Sequence, residues 1–259
     1  MVFINLFVII FILGGGPMIV EILAYDAGTL FGEHGHQIIL KQVFQNHQIQ
    51  YTPLYEEPYF INHPVDLIYL GGMSEQHLIK LNQRLIKHRQ RIIDLIESGV
   101  MFLVFGNALD IFGKSIDFED FGLIETLDIF NFTTVQKYRP RINNYIYGTG
   151  DGFEFTAHKS QFSQLYPDSS FQDFFFTVDK GFGMNRKSRH EGVHYKNFYG
   201  SSCVGPFLAL NPKFMKHIFH QLDPSLSMPL GFETMEAAYQ LRLEEFKSGR
   251  YSQISEILV

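Results

Sequence analysis

The chain has 259 residues, enough for one large α/β domain or two small ones. Its hydrophobic fraction of 46% is enough for a full core and too high for a disordered chain. The formal net charge of −6 argues against a nucleic-acid-binding protein, because such proteins need a basic surface. The single cysteine, Cys203, excludes an internal disulfide and a thiolate metal site, and this is typical of a reducing, cytoplasmic location.

The first seventeen residues form an apolar N-terminal extension. Residues 2–13 are apolar apart from Asn5, but a membrane-spanning helix takes about 20 residues, and a signal peptide has a basic flank that is missing here. A weak membrane anchor, an additional strand and sequence upstream of a natural start at Met18 are the three interpretations. We favour the third, expect little membrane contact, and expect one domain over residues 18–259, C-terminal helices included.

Strands and helices alternate in the first half of the chain. Apolar runs predict four strands, at residues 18–25 (MIVEILAY), 49–54 (IQYTPL), 65–72 (VDLIYLGG) and 100–106 (VMFLVFG). A helix over 32–47 has a predicted apolar face of Ile38, Ile39, Gln42, Val43 and Phe44. One long helix is predicted over 74–99, with Ser74 as its N-cap and Gly99 as its stop.

These near-continuous apolar strands predict a mainly parallel sheet that is covered by helices on both faces. Ligands of such sheets bind beyond the carboxyl ends of the strands. We therefore expect a crevice bordered by the loop at residues 26–33, by Gly71 and Gly72, and by Gly106 and Asn107.

The second half of the chain has a different pattern. Residues 121–136 and 141–150 alternate like antiparallel strands, and residues 192–206 predict another strand pair. The polar stretch 180–192 is the segment most typical of a mobile loop. Two helices are predicted last, over 211–222 and 231–249. The predicted fold is one α/β domain with a mainly parallel sheet flanked by helices, plus antiparallel additions.

Three further motifs favour ordinary structure over a special function. The glycines of GTGDGF, residues 148–153, do not open a helix after a parallel strand, so they indicate a tight turn and not a dinucleotide site. His34 and His36 are interpreted as a pair of solvated loop histidines that could still line the crevice, because a metal site needs more ligands. The basic run at 186–189 indicates a solvated loop. We expect neither a metal nor a cofactor.

Four motifs together carry a family resemblance. They are GTLFGEHGHQIILKQ, IYLGGMSEQ, FLVFGNALDIFGK and EGVHYKNFYGSSCVGPFLALNP, in this order along the chain. The sequence resembles class-I glutamine amidotransferases of the CobB/CobQ-like branch, most of all the GatD-type glutaminase subunits of lipid II isoglutaminyl synthase. The last motif fits at Glu191, Gly192, Tyr195, Lys196, Asn197, Gly200, Gly205 and Pro206. The likeness runs from about Met18 to the C-terminal helices, and it implies a flavodoxin-like α/β fold.

The resemblance implies a reaction and a partner. In this family a cysteine thiolate on a sharp turn attacks the glutamine side chain, a histidine transfers the proton, and backbone N–H groups hold the oxyanion. The resemblance places Gly71 and Gly72 in the glycine loop that contributes to the oxyanion hole. It also implies a role in peptidoglycan synthesis beside a Mur-ligase-like (MurT-like) synthetase.

The sequence departs from the family at both decisive positions. Gly106 stands where the family has the cysteine, and Val204 stands where it has the histidine. Asn107 replaces a glycine, and the Gly-Gly-Arg-Thr stretch of the family has no clean match at 157–160. Losing both members of a cooperating pair removes most of the catalysis. We therefore expect a degenerate protein that binds a partner or a small molecule such as glutamine at Gly71, Gly72, Gly106, Asn107 and Val204.

Two alternatives remain open. One is an active glutaminase subunit of the lipid II isoglutaminyl synthase type, which would need a thiol at position 106. The other is a hydrolase that uses other residues, such as Asp110, His158 or Cys203. We expect Cys203 to be a buried structural thiol, because its side chain and that of Val204 should point to opposite faces of a strand.

Overall fold

The computed structural model of the chain describes residues 16–139 and 141–249. The N-terminal extension therefore lies outside the described residues, apart from its last two positions. The strands are β1 Ile19–Leu23, β2 Gln48–Thr52, β3 Leu67–Leu70, β4 Met101–Phe105, β5 Ser115–Phe118, β6 Gly122–Glu125, β7 Phe132–Gln136, β8 Ile142–Gly150, β9 Phe153–Gln161, β10 Ser163–Pro167, β11 Phe176–Lys180, β12 His190–Glu191, β13 Val193–Tyr195 and β14 Phe198–Ser201. The α-helices are α1 His34–Val43, α2 Glu75–Leu85, α3 Arg89–Glu97, α4 Phe207–Leu210, α5 Pro212–Leu222 and α6 Phe232–Lys247.

A six-stranded sheet forms the centre of the molecule. Its order is β13-β14-β4-β3-β1-β2, and only the edge strand β13 runs antiparallel to its neighbour. β3 and β4 are apolar and buried throughout because both faces of the sheet are covered. Along β4, Phe102 and Val104 face one core while Leu103 and Phe105 face the other. The predicted α/β fold with a mainly parallel sheet flanked by helices is confirmed.

Helices supply each of the two cores. α2 and α3 pack on one face through Leu78, Leu81, Leu85, Ile92, Leu95 and Ile96. α1 and α5 pack on the other face through Ile39, Leu40, Val43, Phe214, Met215, Ile218 and Phe219. The carboxyl ends of the parallel strands are left facing the loops that follow them, where a crevice was predicted.

Two four-stranded sheets make up most of the second half. One has the order β10-β7-β5-β6 and the other the order β12-β11-β8-β9. The pairs are antiparallel except for β5 with β7, which is parallel. The turn between β8 and β9 is made by Asp151 and Gly152 at φ values of 48° and 80°, which fits the two left-handed positions of a tight hairpin turn. The predicted turn is confirmed.

The long helix predicted over 74–99 is divided in the structure. Ser74 caps α2 as predicted, with its hydroxyl accepting from the backbone N–H of His77, and Gly99 (φ +89°) follows α3. Between them, Ile86–His88 forms a short 3-10 turn, and His88 leaves the helical range with φ −109° and ψ 15°. No glycine or proline marks this break, so it could not be recognised from the sequence.

The buried face of α1 also differs from the prediction. Ile38, predicted in the apolar face, is 47% exposed, whereas Leu40 is fully buried. The buried residues are His36, Gln37, Ile39, Leu40 and Val43, which follow the helical spacing. Because Ile38 and Ile39 are adjacent and equally apolar, the sequence pattern does not determine which of them faces the core.

The stretch 180–192 is anchored to its surroundings. Met184 and Asn185 are buried, the Met184 N–H donates to the carbonyl oxygen of His190, and the Asn185 side chain donates to the carbonyl oxygen of Leu165.

Among the residues described, no helix combines the length and the apolar character needed to cross a membrane.

Candidate functional site

The sharp turn after β4 brings together the two positions at which this sequence departs from the family. Gly106 has φ +67°, and the chain continues as a 3-10 helix, Gly106–Phe112. A Cβ placed on Gly106 would lie 3.7 Å from Cγ1 of Val204 and 3.0 Å from Cα of Gly72. Gly106 and Val204 therefore lie next to each other in the crevice.

Asn107 ties two loops of this crevice together. Its Oδ1 accepts from the Met73 N–H at 2.9 Å, and its Nδ2 donates to the Met73 carbonyl at 2.7 Å. The side chain therefore bridges the turn after β4 to the loop after β3. Gly72 lines the same crevice, but Gly71 packs away from it, because a Cβ there would lie 2.5 Å from the carbonyl oxygen of Gly28.

The segment that carries Val204 is held from two sides. The Val204 N–H donates to the carbonyl oxygen of His158 at 2.9 Å, and the Gly205 N–H donates to Oε1 of Glu33 at 2.9 Å. Gly205 has φ +63°, and a Cβ there would lie only 2.3 Å from the carbonyl oxygen of Phe31. A glycine is therefore required beside Val204.

A buried hydrogen-bond network surrounds Glu33. Its Oε2 lies 2.9 Å from Nδ1 of His36 and accepts from the Tyr69 hydroxyl at 2.9 Å. The Leu208 N–H donates to Nε2 of His36 at 3.1 Å, so the ring proton lies on Nδ1, towards Glu33. Burial and the neighbouring Glu33 carboxylate raise the pKa of Tyr69 well above its usual value. The network fixes α1 against β3 and the Gly205 segment.

The interpretation of His34 and His36 as a pair of solvated loop histidines is therefore wrong for His36. His36 is fully buried, whereas His34, two positions earlier, is exposed. The helix begins at His34, so the two side chains project from different sides of α1. The sequence did not show where the helix begins.

Among the described residues, no group of three or more His, Cys, Asp and Glu side chains is arranged to hold a metal ion.

A cavity of about 160 Å³ lies in this crevice. It is lined by Leu30, Phe31, Gly72, Met73, Ser74, Glu75, Leu78, Gly106, Asn107, Asp110, Phe118, Gln136, Ser160, Gln161, Phe162, Ser163 and Val204. Four of the five residues predicted to bind a ligand line it; Gly71 does not. The cavity is smaller than the roughly 300–1,000 Å³ of a drug-sized site, so it fits a small molecule or one head group.

Sequence analysis missed most of the polar wall of the cavity. Asp110, Gln136, Gln161 and Ser163 are all at least nine-tenths buried. Burial raises the pKa of Asp110 to about 8, so this carboxyl keeps its proton at neutral pH. The signal for Gln136 was present in the alternation along β7, where every second residue is buried. A polar residue at such an inward position indicates a special environment.

An ion pair lies deep behind the Val204 segment. Lys159 and Glu191 are both fully buried and form a salt bridge. Glu191 Oε1 also accepts from the Ser201 hydroxyl and from the Ser202 N–H, both at 2.9 Å. Breaking a pair of this kind leaves an uncompensated buried charge. The pair therefore anchors the end of β14, from which Val204 follows.

The two remaining candidate side chains lie outside the cavity lining. Cys203 is fully buried with its Sγ 3.9 Å from Oε1 of Glu191, and burial raises the pKa of its thiol. The prediction of a buried thiol is confirmed. His158 is partly buried, and burial followed by the Arg141 charge lowers its pKa. Neither residue lines the cavity.

Comparison with known proteins shows similarity both in sequence and in structure. The sequence is 24% identical over 220 residues to the GatD subunit of lipid II isoglutaminyl synthase (glutamine-hydrolyzing) from Staphylococcus aureus (strain N315), covering 82% of this chain and 86% of that protein. The structure is similar to the crystal structure of a glutamine amidotransferase from Thermotoga maritima, with a TM-score of 0.50, 12% identity, and coverage of 87% of this chain and 93% of that one. No family model matches the sequence. The two similarities support a glutamine-amidotransferase-like protein, and the second shows the fold.

Proposed function

We propose that this glutamine-amidotransferase-like chain is a degenerate member of the CobB/CobQ-like branch that binds a small molecule in its crevice without hydrolysing it. We further propose that it acts as a binding or partner subunit, beside a Mur-ligase-like synthetase of peptidoglycan synthesis. The observation that supports degeneracy is that Gly106 and Val204 face each other. A Cβ placed at position 106 would lie 3.7 Å from Cγ1 of Val204. Hydrolysis through an acyl intermediate needs a nucleophile and a proton carrier at those two places.

The rest of the crevice supports retention of binding. The positive φ of Gly106 is the backbone conformation in which enzymes of related folds hold a nucleophile on a strained turn. Asn107, the Glu33 network and the Gly205 turn hold the surrounding loops in place. A cavity with buried polar groups remains beside them. This combination is what a binding protein derived from an enzyme requires.

A hydrolase that uses other residues is the second candidate. Asp110 favours it, because a buried carboxyl with a raised pKa that lines a cavity is typical of functional sites. Cys203 does not favour it, since a thiol with a raised pKa outside the cavity is a poor nucleophile. This candidate predicts turnover that is lost when Asp110, His158 or Cys203 is replaced by alanine.

The test of the proposed function is ammonia release from glutamine. The purified chain is expected to release none above the blank. The double variant Gly106→Cys with Val204→His is expected to gain slow turnover, and each single variant serves as its control. Glutamine hydrolysis by the unmodified chain at a rate typical of enzymes would contradict the proposal. Silence of the double variant would show that the pocket has lost its oxyanion donors or its glutamine contacts.

A further inference from the structure

The surface of α2 and α3 is strongly basic. Residues 76–93 contain five Lys and Arg residues, two histidines and no Asp or Glu, in a chain whose formal net charge is −6. Solvated helix surfaces usually mix charges of both signs, because Glu and Lys four residues apart stabilise a helix and like charges at that spacing destabilise it. The stability of the helices therefore does not explain this excess of positive charge.

Four of these cations form a row beside the loop between β2 and β3. We call them the basic stripe, and they are Lys80, Arg84, Lys87 and Arg91. At one end, Nζ of Lys80 donates to the Tyr55 hydroxyl at 2.8 Å, and at the other, Nε of Arg91 donates to the Phe60 carbonyl at 3.1 Å. Both ends of the basic stripe therefore border the same loop.

The charge of the basic stripe is not neutralised by ion pairs. Within the described residues, none of its four cations forms a salt bridge with an Asp or Glu side chain, whereas Arg89 is paired with Asp128. Nε of Arg84 also has no hydrogen-bond partner. Charges elsewhere on the surface are screened over about 8 Å at physiological ionic strength, so the net charge of the chain does not cancel this local excess.

The one nearby carboxylate with a recognisable effect offsets only part of the charge. Glu57, on the loop between β2 and β3, acts on His88 and favours its protonation. Burial, followed by the positive charge of Lys87, nevertheless lowers the pKa of His88 below its usual value. The surroundings of His88 are therefore positive on balance, in agreement with an exposed basic stripe.

Two side chains beside the basic stripe expose apolar surface. Tyr55 is 59% exposed, with 5.3 Å from its ring centroid to Nζ of Lys80, and Ile86 is 37% exposed in the 3-10 turn beside Lys87. A tyrosine places its apolar ring and its polar tip well at a boundary between water and lipid, and Lys and Arg beside it attract anionic headgroups. Cations interspersed with exposed apolar groups are typical of surfaces that lie on a bilayer.

The sequence before the described residues is a second, independent observation. Residues 2–13 contain no charged side chain and are apolar apart from Asn5, and a weak membrane anchor was one of their three interpretations. The chain enters the fold near Arg91: the Ile19 N–H donates to Asp66, three residues after His63, whose carbonyl accepts from Arg91 at 3.5 Å. The apolar segment and the basic stripe therefore belong to neighbouring parts of the molecule.

We propose that the basic stripe and the apolar segment 2–13 together attach this chain to the surface of an anionic lipid bilayer. One apolar anchor alone gives only marginal, reversible binding, and a basic patch supplies the second contribution that stable attachment needs. An acidic protein also complements a positive surface, but it gives no role to Ile86 or to the apolar segment. The inference goes beyond the proposed function, since it does not depend on whether glutamine is bound or hydrolysed.

The first experiment is sedimentation of the full chain with vesicles of phosphatidylcholine, either alone or with about one third phosphatidylglycerol, which is anionic. At an ionic strength of about 0.1 M, binding to the anionic vesicles is expected to be roughly tenfold stronger or more, because each cation near the surface contributes about fivefold. This advantage is expected to disappear at about 1 M salt, where the Debye length is about 3 Å. Equal binding to both kinds of vesicle, or binding to neither, overturns the proposal.

The second experiment assigns the contact to the basic stripe. The double variant Lys80→Gln with Lys87→Gln is expected to bind anionic vesicles roughly tenfold more weakly or worse. Lys213→Gln with Lys216→Gln is the matched control, because it removes the same charge from exposed positions of α5, on the other face of the central sheet. The control is expected to bind like the unmodified chain, and thermal melting checks that both variants are folded. Equal losses in the two folded variants overturn the assignment.

The third experiment tests the apolar segment. Ile10→Asp places a charge in the apolar run and is expected to weaken binding to anionic vesicles roughly tenfold or more, since a charge is costly in an apolar environment. Gly15→Asp adds the same charge outside the run and is the control. Vesicle binding that is equally strong in both variants overturns the role of residues 2–13.

The fourth experiment tests an acidic protein as the occupant, with polyglutamate as the probe. The full chain is expected to bind anionic vesicles more tightly than polyglutamate, because the polymer offers charge without an apolar phase. Tighter binding of polyglutamate, lost in the Lys80→Gln with Lys87→Gln variant, would overturn the proposal in favour of an acidic protein. Glutamine hydrolysis by the unmodified chain would contradict the proposed function and leave each vesicle result unchanged, so the two can fail separately.

Discussion

A glycine at position 106 relieves strain that a catalytic cysteine would carry. A residue with a Cβ at φ +67° costs roughly 1–2 kcal/mol, and the Cβ would also press on Cα of Gly72 at 3.0 Å. An enzyme tolerates this strain because the turn exposes the nucleophile. For a protein without hydrolytic activity, as proposed for this chain, glycine at this position stabilises the folded state by avoiding that strain.

Asp110 is expected to make the stability of the chain depend on pH. Its pKa is about 8 in the folded chain, against a usual value of 3.8, so the folded state holds a proton that the unfolded state releases. Raising the pH from about 4 to about 8 therefore favours unfolding. Asp110→Asn removes this contribution, and its stability relative to the unmodified chain is expected to rise by roughly 2–5 kcal/mol across that range.

The measurement for Asp110 is urea unfolding of both proteins at several pH values. Asp117→Asn is the control, because Asp117 is an exposed residue of β5 whose charge is solvated in the folded and the unfolded chain. Parallel stability profiles for Asp110→Asn and the unmodified protein would contradict the prediction. If the stability of Asp117→Asn relative to the unmodified protein also rose with pH, the effect would not be specific to the cavity.

At the scale of the element, α1 shows what a sequence pattern resolves and what it leaves open. The period of the apolar residues predicts a helix, because residues three and four positions apart share a face. The centre of that face is not fixed when Ile38, Ile39 and Leu40 follow one another. The structure buries Ile39 and Leu40 and exposes Ile38, and it also buries His36 in the Glu33 network.

Two truncations on α1 distinguish the predicted face from the observed one. Leu40→Ala is expected to lower the free energy of unfolding by about 2–5 kcal/mol, because it opens a cavity in the core. Ile38→Ala is expected to change it by less than about 0.5 kcal/mol, since that side chain is half exposed. Chemical denaturation of both variants measures the difference. Equal losses would mean that α1 is rotated about its axis and buries Ile38 as well as Leu40.

The sequence could predict the central strands and the place of the crevice for a physical reason. Buried parallel strands must be apolar along their whole length, so β3 and β4 stand out, and their carboxyl ends meet at one edge. The helix break at Ile86–His88 could not be predicted, because no residue there forbids helical geometry. The inward position of Gln136 follows from the alternation along β7, but the wall that it makes with Ser163 could not be predicted, since it depends on how a smaller sheet packs on the central one.

At the scale of the whole molecule, the proposed partner leads to a further expectation. The similar protein from Staphylococcus aureus is named as a subunit, and this chain matches it over most of both lengths. We expect the chain to elute together with a Mur-ligase-like protein of the same organism in size-exclusion chromatography at micromolar concentration. Gly106→Cys should elute in the same way, because the substitution lies inside the crevice. Separate elution of the two proteins would contradict the partner role and leave the binding role standing.

The order of strands in the central sheet determines when the cavity can form during synthesis. β4 pairs with β14, yet the chain between Phe105 and Phe198 first builds the two smaller sheets. Contacts between distant parts of a chain form late, because the long loop between them must close. A chain still emerging from the ribosome can assemble β1 to β4 but lacks Val204. The cavity is therefore complete only after almost the whole protein has been made, and truncated products lack it.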